Sequence, residues 1–152
     1  MLGFHALGIL TPGETSTYYT ISPDADDTDG LWLTEALGTS LFGSIDETAS
    51  DDADYINSTY APVADVSKVS LSNPSVTPAE PMSVHYRFKK DNANGTMELR
   101  VRLMENTTAI ATWTESNVSS NYLYVEHTLT AAEFAAITDF TALYLEFRAN
   151  YP

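Results

Sequence analysis

The chain has 152 residues, 43% hydrophobic and 18% charged, a composition that folds and a length usual for one domain. Its net charge is −14, which argues against nucleic acid and anionic membrane surfaces as partners, since both are bound through basic side chains. It has no cysteine, which excludes disulfides, thiolate metal sites and a cysteine nucleophile.

The charge is unevenly placed. Residues 1–67 hold twelve carboxylates and no lysine or arginine, and all seven bases lie from Lys68 onward. Residues 1–30 are punctuated by Gly3, Gly8, Pro12, Gly13 and Pro23, which break any long element. They read as an extended N-terminal arm, with one short strand expected in "STYYTI" (16–21). Leu2, Phe4, Leu7, Ile9 and Leu10 have no apolar partners within the arm. They are expected either to anchor it on another chain or to fold it back on its own domain. The start of the chain lacks the basic region and small-residue cleavage site of a signal peptide. No stretch approaches the roughly 18 apolar residues of a membrane span.

Residues 31–152 are expected to form the domain. "LWLTEAL" (31–37) fits a strand or a single helical turn, and "TSLFGSI" (39–45) leads into the acidic run "DETASDDAD" (46–54). "DVSKVSLS" (65–72) alternates imperfectly as a strand. "MSVHYRFKK" (82–90) sets Val84, Tyr86 and Phe88 against His85, Arg87 and Lys89. "TMELRVRLME" (96–105) sets Met97, Leu99, Val101 and Leu103 against Glu98, Arg100 and Arg102. With "DNANG" (91–95) between them, these two runs predict a β-hairpin. Strands follow at 109–115 and 121–129. "LTAAEFAAI" predicts a helix of about two turns, with Thr130 and Glu133 spaced as a capping box. A last strand is expected in "DFTALYLEFRA", with Leu143, Leu145 and Phe147 on one face. Many short strands with one short helix predict an antiparallel β-sandwich of jelly-roll type.

Three chemistries come into question for this pattern. Asp24, Asp26, Thr28 and Glu35 sit at calcium-loop spacing, but the turn glycine is one place late, and no metal is expected. For Asp51, Asp52 and Asp54 a solvated loop shaped by Asx-type hydrogen bonds is favoured. His85 and His127 fall among polar strand positions and read as surface residues. No nucleophile elbow, phosphate loop or zinc-binding helix motif is present, so no catalytic residue, cofactor or enzymatic activity is expected. Trp113, Tyr122 and Tyr124, on neighbouring expected strands, form a candidate aromatic platform for a glycan. The competing reading places those rings in the core or a subunit contact.

"IDETASDDADYI" (45–56), "VHYRFKKDNANGTMELRVRLMENTTAIATW" (84–113) and "LTAAEFAAITDFTALYLEFRA" (129–149) together resemble a pattern found among structural proteins of tailed bacteriophages. The resemblance covers about the last 110 residues; its specificity lies in the combination of the pieces. It implies a virion component on the capsid surface, a decoration (cement) protein that contacts the major capsid protein. It also implies a homo-oligomer, with a trimer suited to icosahedral three-fold positions. The segment "MLGFHALGIL" does not itself distinguish a head protein from a tail or fibre component.

Overall fold

The computed structural model describes residues 2–6, 20–35, 40–46, 51–78, 81–91 and 95–152. The chain is mainly β, in antiparallel sheets, with one short α-helix. β1 (Leu2–Ala6), β6 (Ser83–Phe88) and β9 (Leu123–Thr128) form a three-stranded sheet in the order β1-β6-β9. β2 (Pro23–Thr28), β5 (Asp65–Leu71), β10 (Leu143–Asn150), β7 (Glu98–Glu105) and β8 (Thr108–Glu115) form a five-stranded sheet, with β10 central. β3 (Leu33–Glu35) and β4 (Tyr55–Asn57) pair separately.

The sheets share one apolar core in a sandwich-like arrangement. The three-stranded sheet contributes Val84, Tyr86 and Phe88, and the five-stranded sheet contributes Val69, Leu99, Val101, Leu103, Leu145 and Phe147. Each set is the apolar parity of its strand, and the period of two that turns it inward also turns charged residues outward. The imperfect alternation of 65–72 resolves the same way, with Asp65, Ser67, Val69 and Leu71 all buried. Within the stretch expected as an arm, Leu2–Ala6 and Pro23–Thr28 are strands of the chain's own sheets, paired with β6 and β5. Leu7, Ile9 and Leu10, and most of the strand expected at 16–21, lie outside the described residues.

The predicted hairpin is not formed. β6 pairs with β1 and β9 in one sheet, and β7 pairs with β10 and β8 in the other, so the connection between them crosses the sandwich. The hairpin in this region is β7–β8, closed at Asn106-Thr107 with Asn106 at φ 51°. Asparagine tolerates that left-handed conformation better than most residues.

The helix α1 is shorter than expected, Ala131–Ala135, but its capping box is complete. The Thr130 N–H donates to the Glu133 carboxylate at 2.8 Å, and the Glu133 N–H donates to Thr130 Oγ1 at 3.2 Å. A second carboxylate organises the chain just beyond it. Glu105, at the end of β7, accepts the Thr138 N–H at 2.7 Å and the Thr138 hydroxyl. The Thr138 side chain, followed by its backbone N–H, holds the Glu105 carboxyl below its ordinary value of 4.5.

A carboxyl depressed in the native state stabilises the fold fully above its unfolded value, and this contribution is lost as pH falls through the depressed one. Urea midpoints of Thr138→Ala and of the parent chain are therefore expected to differ most near neutral pH and to converge below pH 4.5. Parallel curves across that range would assign the acid sensitivity to other groups.

Candidate functional sites

The three rings expected to form a platform do not share a face. Trp113, on β8, stacks on His127 with ring centroids 5.1 Å apart and planes 11° from parallel. His127 lies on the inward parity of β9, opposite Val84 in the ladder, while Tyr124 lies on the outward parity, opposite Arg87. Tyr124 packs on the His85 ring at 5.8 Å and bonds its Nδ1. Tyr122, just before β9, lies under two cations, the Arg87 guanidinium at 4.6 Å and Lys89 Nζ at 4.8 Å from its ring centroid. Its hydroxyl is pushed up to about 12 by burial, helped by the charge of Asp52.

The histidine stacked on Trp113 belongs to a polar cluster between the sheets. The buried Tyr86 hydroxyl donates to Glu115 Oε1 at 2.7 Å, and His127 Nε2 stands 3.0 Å from both the carboxylate oxygen and the phenol. The phenol proton goes to Glu115, so Nε2 must carry a proton; a bare nitrogen would face the carboxylate lone pair to lone pair. Burial, then the hydrogen bond to Glu115, raises the Tyr86 phenol far beyond its ordinary range and keeps it neutral. The cluster ties β6 and β9 to β8. His127 is thus a half-buried partner within the sandwich, against the expectation that it is a simple surface residue. The polar side chain is accommodated there because β8 and β9 are both edge strands, and the sandwich margin supplies acceptors.

The acidic residues resolve one by one. Asp51 accepts the Ala53 N–H at 2.8 Å, an Asx turn. Asp52 pairs with Arg87 at 2.9 Å. Asp26, of the calcium-like spacing, accepts the N–H groups of Leu41 and Phe42 at 3.0 and 2.7 Å and fixes the 3-10 turn Phe42–Ser44. Among the described residues no group of three or more His, Asp or Glu side chains is placed to hold a metal ion.

Two features were not singled out by sequence reasoning. The first is the loop between β4 and β5, which holds apolar residues in water: Tyr60 is 92% exposed and Val63 83%. The loop is fixed from behind. Asp65 accepts the Thr59 N–H and hydroxyl, the Asp65 carbonyl accepts Trp32 Nε1–H at 3.1 Å, and the carbonyl of buried Pro62 accepts the Tyr151 N–H at 2.8 Å. Ala61 and Ala64 are held at φ 48° and 58°, a conformation costing a non-glycine residue about 1–2 kcal/mol. The second feature is an adjoining cavity of about 550 Å³, with buried Trp32 and Phe88 in its wall and Tyr60 and Tyr151 toward solvent. Asn57 also lines it, and the buried Oδ1 of Asn57 has no hydrogen-bond partner. The sequence signal was present in "STYAPVADV", where Tyr60 and Val63 flank Pro62 between two strands.

Comparison with protein-family models, with curated proteins and with solved structures found no match for the chain.

Proposed function

We propose that the chain is a non-enzymatic structural protein of a tailed-bacteriophage virion, a jelly-roll-type capsid decoration protein that binds the major capsid protein. The observation that carries this reading is the Tyr60–Val63 loop. A strained, hydrogen-bonded backbone holding two apolar side chains in water is prepared for contact with another protein surface, because little conformational entropy remains to be lost on docking. The phage-like sequence pattern supplies the kind of surface. Apolar area buried between neighbouring capsid subunits would stabilise a head by roughly 25 cal/mol per Å² before association costs.

The test is co-sedimentation of purified protein with heads that lack it. Binding is expected, with a loss of at least about tenfold in affinity for Tyr60→Ser/Val63→Ser, equal to about 1.4 kcal/mol. Undiminished binding by the double variant would remove the loop from the contact. A second reading, a glycan-binding module of a fibre or tail, is favoured by the aromatic-walled cavity, whose volume lies within the roughly 300–1,000 Å³ of ligand sites. Saturable binding on a glycan array, without binding to heads, would select it.

A further inference from the structure

The outer face of the five-stranded sheet gathers four of the chain's seven bases. Register places Lys68, Glu146, Arg102 and Thr112 in one cross-strand row, and Val66, Arg148, Arg100 and Thr114 in the next. Glu146 is the carboxylate within these rows, and Glu98 stands at the margin, two residues from Arg100 on the same parity. A single oxygen of Glu146 serves two guanidiniums, Arg100 at 3.3 Å and Arg102 at 3.4 Å. Among the described residues, Arg148 and Lys68 have no carboxylate within ion-pair distance, and Lys68 instead lies 5.2 Å above the Tyr144 ring centroid.

This arrangement is poor for the stability of an isolated chain. Arg100 and Arg148 are directly opposite in the ladder, where like charges destabilise a pair of strands. The Nε atoms of Arg100 and Arg102 are buried without a hydrogen-bond acceptor. Burial, then the charges of Arg102 and Arg148, pulls the Arg100 guanidinium below its ordinary value. Four cations with one carboxylate within their rows leave positive charge unneutralised, and guanidiniums favour planar anions, carboxylates above all.

We infer that this face binds carboxylates of a second copy of the chain, namely the exposed Asp24, Asp27 and Asp29 of its β2 edge and the turn that follows. Each copy carries both complementary surfaces: the cationic rows, and a first half with twelve carboxylates and no base. Repulsion between two bodies of charge −14 is screened beyond about 8 Å at physiological salt, whereas ion pairs in direct contact are screened far less. The contact joins different patches on the two copies, so it propagates head to tail and closes as a ring when the rotation allows. The inference does not rest on the proposed virion role, because it is read from purified protein alone.

Sedimentation velocity of the full chain tests it. At about 0.15 M salt, species larger than the 16.6 kDa monomer are expected, and at about 1 M they are expected to dissociate. Arg148→Ala removes a cation with no carboxylate partner among the described residues, and Asp24→Asn/Asp27→Asn/Asp29→Asn removes the other side. Circular dichroism first establishes that both fold. Each is expected to weaken association at least about tenfold at the lower salt. A monomer under all conditions would overturn the inference. So would association that survives high salt, or association weakened by only one of the two variants.

Discussion

Gly30→Ala is expected to lower stability by about 2–5 kcal/mol, from left-handed strain of roughly 1–2 and overpacking of roughly 1–3. Gly30 sits at φ 62° in the turn closed by the Trp32 N–H on the Asp29 carbonyl at 3.1 Å. A Cβ there would overlap the carbonyl oxygen of Val66, a backbone atom of a paired strand that has no room to move aside. The same turn delivers Trp32 to the core, so the urea midpoint and the tryptophan emission should shift together. Gly95→Ala is the control. Its φ is 80°, but the added carbon would meet the end of the Tyr151 ring, which can swing away toward solvent. A Gly30→Ala loss below about 1 kcal/mol, or the gain usual for glycine-to-alanine changes at unstrained positions, would contradict the turn described for residues 29–32.

Phe147→Ala is expected to cost about 3–5 kcal/mol, as for other fully buried phenylalanines. Phe147 lies on the central strand β10, opposite Ser67 on β5 and Val101 on β7, and it is fully buried. Its ring packs on Trp32 at 6.2 Å between centroids. Little can collapse into the space it leaves, because it is enclosed by paired strands on both sides. A loss of this size is a large share of the roughly 5–15 kcal/mol that holds a domain folded. Thr112→Ala, at an exposed position of β8, should stay within about 0.5 kcal/mol of the parent. Equal midpoints for the two variants in urea unfolding would show that residue 147 does not occupy the core.

The elements that were legible in the sequence are those whose information is local. Alternation in 84–88, 99–103 and 143–147 assigns the buried face correctly, and the Thr130–Glu133 spacing places the helix start. Strand partners were not legible in the same way. β6 buries the same face whether it pairs with β7 or crosses the core from it, so the pattern cannot distinguish a hairpin from a change of sheet. The Asn94-Gly95 turn signal favoured the hairpin, whereas Asn106-Thr107 closes the real one.

His127 shows the same limit. Its polarity reads as a surface position; what places it between the sheets is Glu115, twelve residues away on a strand of the other sheet. Asp51 acts within its own loop and was legible, but its neighbour Asp52 finds Arg87 through tertiary packing. The cationic rows are invisible in the linear sequence because Lys68, Arg100, Arg102 and Arg148 meet only through the register of three strands.

The proposed role as a head-binding contact protein, which would make the chain a phage gene product, is tested most directly by electron cryomicroscopy of intact particles of such a phage, compared with particles lacking the gene. The proposal predicts that the two genotypes differ by a small two-sheet density on the outer head surface, with the Tyr60–Val63 loop at its contact with the capsid. Identical heads, with the protein absent from the virion or confined to a fibre or tail tip, would contradict it.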